Sequence, residues 1–404
     1  MSLVMNRRQR TLIILILGSL TALGPFSIDM YLPGFISIAR DLDTTTARVG
    51  LSLSSYFIGI SVGQLLYGPL LDRFGRKKPL YVGLILYIVS STGCMVANTI
   101  DMLIALRFFQ AIGSCAAAVA AMAMVRDIFP VGENAKIFSL LILILGTSPL
   151  VAPTVGGYLI EGFGWHSVFL VLLIMGAAIL AAVFFLLPES GKPDPSFSLK
   201  PAPIIRNFIS VIRIPQFYTY ALTGAVAFAG LFAYVSGSPV VFMEVFQVDG
   251  KTYGWIFALL SVGFVGGSQV NTLLLKRFTS EQIIRVVLSA QASIGLLFLI
   301  LSLNGWIGLY GTIVLLFLFL SCLGLANPNA AALTLEPFSK NAGSASAVMG
   351  ALQMGVGTLA SVGVSMFEVP SIVPMVGVIA ASAVIALVIL LVGRAAIEKH
   401  KVRD

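Results

Sequence analysis

The chain has 404 residues, of which 58% are hydrophobic and only 10% are charged, whereas a soluble domain averages about 25% charged residues. This composition excludes a protein whose whole surface faces water. The formal net charge of +8 does not indicate a nucleic-acid partner, because the basic residues separate apolar runs and form no single cluster.

Apolar windows of about 20 residues, the length that spans a bilayer, recur from end to end. They predict twelve transmembrane helices, at 11–35, 47–71, 79–98, 100–124, 137–160, 166–187, 216–245, 253–275, 283–303, 309–333, 342–367 and 373–396. The first run follows three arginines, as a signal peptide does, but it continues past Pro33 and is therefore interpreted as a span. We expect an all-α integral membrane protein that lies in the lipid bilayer as a monomer.

The basic residues predict the orientation of these spans. Most of the 25 lie in the two tails and in the even-numbered connections, against Arg40, Arg48 and Lys251 on the other side and Arg107 within a span. Lysine and arginine are enriched in the cytoplasmic loops of membrane proteins. We therefore predict a multi-pass protein of the bacterial inner membrane with both termini in the cytoplasm.

The segment between the sixth and seventh predicted spans is basic and rich in proline. It predicts three parts, namely an N-terminal six-helix half at 1–187, a cytoplasmic linker at 188–213 and a C-terminal six-helix half at 214–404. An offset of 204 residues aligns Gly59 with Gly263 and Arg73 with Arg277, which indicates two pseudo-repeats. Because repeated halves commonly hold a substrate at their interface and alternate access to it, this pattern favours a transporter.

The connection after the second span reads Gly68-Pro69-Leu70-Leu71-Asp72-Arg73-Phe74-Gly75-Arg76-Lys77-Lys78 and resembles the signature loop of the major facilitator superfamily. A glycine permits a tight turn, and a carboxylate beside guanidinium groups forms charge-assisted hydrogen bonds. The resemblance implies the twelve-helix major facilitator fold, with a structural latch at Gly68, Asp72, Arg73, Gly75, Arg76 and Arg126. The alternative is that these charges only orient the chain in the membrane.

Two further segments narrow the resemblance. Residues 103–113 of the fourth span are similar to a superfamily motif with an intramembrane arginine, Arg107. The fifth span resembles an element of antiporters through Gly146, Pro149, Pro153, Gly156 and Gly157, although Ala152 replaces one glycine. With residues 29–33, these segments resemble the Bcr/CflA (bicyclomycin-resistance) branch of drug:proton antiporters. That resemblance implies exchange of protons for a small, lipophilic, drug-like substrate.

Two ionisable residues lie inside predicted spans, where a charge is costly and usually functional. At about 1.5 Å per residue, Asp29 lies roughly 27 Å along the first span and Arg107 roughly 10 Å into the fourth, at similar depth in the outer half. We predict that Asp29 binds and releases the coupled proton and that Arg107 sets its proton affinity. The alternatives are a fixed ion pair and an Asp29 already hydrated at the outer rim.

Other polar side chains embedded in apolar runs are candidate substrate-binding residues. They are Tyr56, Gln64, Gln110, Tyr234, Gln269, Asn327 and Gln353. Each could instead hydrogen-bond a neighbouring helix, as polar groups in spans often do.

Competing functions find less support. A proton-coupled transporter of a natural metabolite, such as an amino acid or a peptide-like compound, would show more dedicated polar contacts. A membrane-embedded enzyme would need clustered ligands or a Ser/His pair within spans, yet His166 and His400 lie outside mid-membrane positions. Val245 stands where a P-loop needs its first glycine, which argues against an ATP-driven pump.

The three cysteines lack ligand spacing, so we expect no metal and no cofactor.

Overall fold

The computed structural model describes residues 6–191, 193–194, 208–338, 342–367 and 369–401, and every regular element in these ranges is helical. The first half of the chain contains α1 (Arg7–Asp29), a 3-10 turn (Leu32–Gly34), α2 (Phe35–Asp41), α3 (Thr46–Phe74), α4 (Lys77–Met95), α5 (Ile100–Ile128), α6 (Val131–Phe163) and α7 (His166–Leu186). The second half contains α8 (Pro215–Pro239), a π-helical segment (Val240–Val245), α9 (Gly250–Leu274), α10 (Ser280–Leu303), α11 (Leu309–Leu335), α12 (Ala342–Ser365) and α13 (Val373–Lys401).

Twelve candidate membrane spans are present in the described part of the chain. The predicted number of spans is therefore confirmed. Large apolar side chains such as Val82, Phe185 and Leu303 remain exposed along these helices. Exposed apolar surface on the spans is suited to contact with lipid. Lipid offers no hydrogen-bond partners, and a helix needs none there because its backbone N–H and C=O groups bond each other.

The first span differs from the prediction. We expected one continuous helix over 11–35, but α1 ends at Asp29, and the chain passes through the 3-10 turn before it resumes as α2. Pro33 lies inside that turn. A proline has no backbone N–H, so Pro33 cannot form the helical hydrogen bond to the carbonyl of Asp29, the residue at which α1 ends. Asp29 consequently lies at a break in the span.

The chain folds into two compact units, Met1–Thr44 with Ser55–Lys200, and Thr45–Ser54 with Pro201–Asp404. In the first unit, α1 packs against α5, α6 and α7, and α4 packs against α5 and α7. In the second unit, α8 packs against α11, α12 and α13, and α9 packs against α11. The boundaries at 187/188 and 213/214 remain predictions, and residues 195–207 of the predicted linker lie outside the described residues.

The aligned glycines occupy equivalent positions in the two units. In the first, a Cβ added to Gly59 would lie 2.5 Å from the carbonyl oxygen of Phe108 on α5. In the second, a Cβ added to Gly263 would lie 3.0 Å from the carbonyl oxygen of Phe317 on α11. In each unit a glycine lets the second span approach the backbone of the fourth, as expected for a pseudo-repeat of six helices.

Candidate functional site

Arg107 is fully buried on α5, although it lies within a membrane span. Its Nη1 donates a hydrogen bond to Oε1 of Gln110 at 2.7 Å, and its Nη2 donates to the backbone oxygen of Ser27 at 2.9 Å. Its Nε has no hydrogen-bond partner among the described residues. Both acceptors are neutral, so hydrogen bonding alone leaves the positive charge without a counter-ion.

Two tyrosine rings flank the guanidinium. Its central carbon lies 4.3 Å from the ring centroid of Tyr31 and 4.2 Å from that of Tyr56. Tyr31 belongs to the break that follows α1, and Tyr56 belongs to α3. A cation over an aromatic face is attracted by the ring quadrupole, and this attraction grows as water is excluded. The rings therefore stabilise a buried charge that would otherwise be very costly.

Hydroxyl groups extend this network. Nε2 of Gln110 donates to Oγ of Ser91 at 2.8 Å, and Oγ of Ser27 shares a hydrogen bond with the hydroxyl of Tyr87 at 2.7 Å. The hydroxyl of Tyr56 shares another with Ser114 at 2.7 Å. The sequence did not single out these serines or Tyr87. Serine in a span usually bonds a carbonyl of its own helix, and tyrosine is common in spans, so neither residue type distinguished these positions.

Asp29 is the last residue of α1 and is only 5% exposed. No ion pair joins it to Arg107 in the described part of the chain, so the direct pairing that we considered is not formed in this structure. Arg107 instead binds Ser27, two residues before Asp29. The carboxylate and the guanidinium thus belong to one small region of α1 without neutralising each other.

Gly156 of α6 packs directly against this region. A Cβ added to Gly156 would overlap the carbonyl oxygen of Met30, the residue that follows Asp29. The other motif residues, Gly146, Pro149, Pro153 and Gly157, all lie within α6. The helix continues through both prolines. The antiporter-like motif therefore brings the backbone of α6 against the end of α1.

A second polar cluster surrounds Arg76 in the connection between α3 and α4. Its Nη1 lies 2.9 Å from Oδ1 of Asp72, and its Nε lies 2.7 Å from Oδ2 of Asp127 on α5. Oε1 of Glu189 accepts a hydrogen bond from the Arg76 backbone N–H at 2.9 Å. We call Asp72, Arg76, Asp127 and Glu189 the loop cluster.

The charged form of Arg76 is stabilised by its neighbours. Partial burial lowers the pKa of its guanidinium, but hydrogen bonds and charge attraction from Asp127 and Asp72 raise it more, so the net pKa lies above its usual value. The predicted latch residues Asp72 and Arg76 are brought together, and Gly75 supplies the turn with φ of 83°. Asp127 and Glu189 were not predicted, since a charge near a helix end is usual in any membrane protein.

The remaining latch residues show other contacts. The guanidinium carbon of Arg126 lies 5.9 Å from the ring centroid of Phe138. The guanidinium carbon of Arg73 lies 5.7 Å from the ring centroid of Phe74. A Cβ added to Gly68 would meet no atom within 4 Å. Asp127, the neighbour of Arg126, binds Arg76, and the role of Arg126 in the latch stays a prediction.

Comparison with known proteins decides the family, because the sequence profile of the Major Facilitator Superfamily matches residues 15–363. This chain belongs to the Major Facilitator Superfamily. A bicyclomycin resistance protein homolog of Haemophilus influenzae is 32% identical over 384 residues, which cover 95% of this chain and 96% of the relative. The multidrug resistance protein MdtL of Escherichia coli O81 is 30% identical over 388 residues, which cover 92% and 93%. The predicted Bcr/CflA branch is thereby confirmed.

Solved structures show the same fold. A bacterial homolog to the human lysosomal transporter Spinster superposes with a TM-score of 0.69 at 15% sequence identity, covering 97% of this chain and 96% of that one. At this identity the likeness concerns the fold alone. This major facilitator is a multi-pass membrane transporter, and no group of three or more His, Cys, Asp or Glu residues that could hold a metal ion occurs among the residues described.

The predicted substrate-binding residues occupy different environments in this major facilitator. Tyr56 and Gln110 are fully buried in contact with Arg107. Gln64 is partly buried, and its Oε1 has no hydrogen-bond partner in the described chain.

Four candidates lie in the second half. Tyr234 is buried and stacks on Phe257, with ring centroids 5.2 Å apart. Nε2 of Gln353 donates to Oδ1 of Asn327 at 2.9 Å, and Gln269 is exposed. The role of all seven side chains in binding a substrate remains a prediction.

Proposed function

We propose that this transporter exports small, lipophilic, drug-like compounds in exchange for protons, by alternating access between the two sides of the bacterial inner membrane. The observation that carries the proposal is the burial of Asp29 at the break of α1, next to the residues that bind Arg107. The names of the relatives, bicyclomycin resistance protein homolog and multidrug resistance protein, support the substrate class.

Asp29 is suited to carry the coupled proton. A carboxylate buried in a span is stabilised either by a cation or by a proton. Arg107 binds the same end of α1, but its Nη1 and Nη2 groups donate to Gln110 and to the backbone oxygen of Ser27, and not to Asp29. A movement at the break of α1 that changes the distance between Asp29 and Arg107 changes the proton affinity of Asp29. Proton binding and conformation are then linked, as reciprocal coupling requires.

The break of α1 provides the place for this movement. Residues 30–31 separate α1 from the 3-10 turn, so the helical ladder is already interrupted beside Asp29. Tyr31 in this segment contacts the guanidinium of Arg107. A local change of backbone here moves the carboxylate and one ring of the network together, without melting a continuous helix. Substrate export follows if the two conformations open to opposite sides of the membrane.

The test is driven transport with Asp29→Asn, which removes the proton site and keeps the shape of the side chain. We expect pH-gradient-driven accumulation of ethidium in inverted vesicles to fall to background for this variant. Asp43→Asn is the matched control, because Asp43 is exposed, and its φ of 47° suits asparagine. Driven transport that persists in Asp29→Asn at the wild-type rate would refute Asp29 as the coupling group.

A further inference from the structure

The residues that immediately follow α7 bind the connection between α3 and α4. We call residues 189–191 the strap. Oε1 of Glu189 accepts from the Arg76 N–H at 2.9 Å, and Oε2 accepts from the Lys77 N–H at 3.1 Å. One carboxylate therefore binds two successive backbone groups that lie more than a hundred positions earlier in the chain.

These two groups stand at the N-terminus of α4. Helix α4 begins at Lys77, and its N-cap residue, Arg76, makes no side-chain capping hydrogen bond. The first N–H groups of a helix lack partners within the helix, and the helix dipole favours an anion beside them. Glu189 thus caps α4 from a distance.

The same carboxylate folds the strap onto itself. Oε1 of Glu189 also accepts from the backbone N–H of Ser190 at 3.1 Å and of Gly191 at 3.3 Å. The strap is held to the loop cluster by a further bond, because Oγ of Ser190 donates to Oδ2 of Asp127 at 3.1 Å. That oxygen also accepts from Nε of Arg76. Arg76 and the strap therefore share Asp127.

Steric contact adds to these bonds. A Cβ added to Gly191 would lie 2.7 Å from Nε of Arg76 and 2.9 Å from its Cγ and Cδ. A Cβ added to Gly75 would lie 3.4 Å from Oε2 of Glu189. Glycines on both sides let the strap and the loop approach closely. The hydrogen bonds at this surface are individually modest, so the assembly can open and re-form.

We infer that Glu189 is a positioning residue for transport, which ties the start of the linker to the loop cluster so that both move together when Arg76 leaves Asp127. The inference rests on the transport function proposed above. The strap leads directly into the covalent connection to the second six-helix half. When Glu189 caps α4, the strap moves with the loop cluster, whereas loss of the cap lets the strap move separately from α4.

Amide hydrogen exchange tests the contact of Glu189 with Arg76 and Lys77 independently of transport. In the purified full-length protein, Glu189→Ala should raise the exchange rates of the Arg76 and Lys77 amides about tenfold or more, because hydrogen bonds to a charged acceptor are lost. Glu189→Gln keeps an acceptor oxygen, so its exchange rates at Arg76 and Lys77 should lie between those of the wild-type protein and those of Glu189→Ala. The control is Glu281→Ala, which removes an exposed carboxylate 3.6 Å from Arg394. Unchanged exchange at Arg76 and Lys77 in Glu189→Ala would overturn the contact.

Ethidium accumulation in inverted vesicles tests the role. We expect Glu189→Ala and Gly191→Ala to lower Vmax about tenfold with KM unchanged, and Glu189→Gln to restore part of the rate. Wild-type Vmax in Glu189→Ala, together with fast exchange at Arg76, would show a cap without a role in transport and overturn the inference. Wild-type vesicles that accumulate no ethidium would contradict the proposed function itself and, with it, the role of Glu189.

Discussion

At the scale of single residues, Gln291 on α10 buries a complete carboxamide. The side chain is 0% exposed, and neither Nε2 nor Oε1 has a hydrogen-bond partner in the described part of the protein. Each buried polar group without a partner costs about 1–3 kcal/mol. We therefore predict that Gln291→Leu stabilises the protein by about 1–3 kcal/mol, because leucine fills similar space without polar atoms.

The matched comparison for this prediction is Gln110→Leu. Gln110 is equally buried, but its carboxamide bonds Arg107 and Ser91. The same substitution there should destabilise the protein. The Tm of both variants can be measured with a thiol-reactive dye, because the buried Cys94 and Cys115 become accessible when the protein unfolds on heating. A lower Tm for Gln291→Leu than for the wild-type protein would contradict the prediction.

The sequence identifies the important residue types in the membrane but not their partners. Asp29 and Arg107 could be predicted because charges are rare in apolar runs. The contacts of Arg107 with two tyrosine rings and with a serine carbonyl could not be predicted, since aromatic residues and serines are common in spans. Opposite charges at similar depth suggested an ion pair, whereas the guanidinium is surrounded by neutral acceptors and aromatic faces.

At the scale of helices, α6 depends on a glycine where it meets α1. An alanine at Gly156 would place its Cβ on the carbonyl oxygen of Met30. Forcing additional atoms into a packed contact typically costs about 1–3 kcal/mol. We predict that Gly156→Ala lowers the free energy of unfolding by about this amount and reduces driven transport, because α6 must move away from the end of α1.

Gly162 on the same helix supplies the control with the opposite expected sign. A Cβ added there would meet no atom within 4 Å. Replacing glycine by alanine in a helix stabilises it by up to about 1 kcal/mol when nothing obstructs the methyl group. Thermal unfolding of the two variants decides the matter, since equal effects of Gly156→Ala and Gly162→Ala would rule out a specific contact with α1.

The number of helices could be predicted from apolar runs of bilayer length, but interruptions within a run could not. The run that contains α1 stays apolar through Pro33, so hydropathy alone indicates one span. The seventh span likewise changes from α-helix at Pro239 to a π-helical segment over Val240–Val245. Both changes follow a balance of local backbone hydrogen bonds, to which average hydropathy is insensitive.

At the scale of the whole molecule, the two six-helix halves share packing but not chemistry. Gly59 and Gly263 take equivalent places against the fourth span of each unit. The loop cluster has no such equivalent, because the offset of 204 residues places Lys276 where the first half has Asp72. Close packing of helices constrains both copies, whereas the residues that we propose for proton coupling, Asp29 and Arg107, lie in the first copy. We therefore expect substrate choice to depend on residues of the second half that carry no recognisable motif.

The distribution of lysine and arginine predicts how the molecule lies in the membrane. Twelve spans are an even number, so the two tails must lie on the same side. Since basic residues are retained in the cytoplasm, we expect Arg8→Cys and Lys401→Cys to react with a membrane-impermeant maleimide only in inverted vesicles. Gln247→Cys, in the exposed connection before α9, should react only in intact cells.

The native cysteines make this measurement clean, because Cys94 and Cys115 are buried and Cys322 is partly buried. The unmodified protein sets the background in both preparations. Labelling of Arg8→Cys and Lys401→Cys from opposite sides would contradict an even number of spans, and labelling of both in intact cells would invert the orientation. Inversion would place the loop cluster and the start of the linker together on the outer side, because Glu189 binds Arg76 and Lys77 in either orientation. The labelling therefore tests the orientation separately from the contact of Glu189, which hydrogen exchange tests.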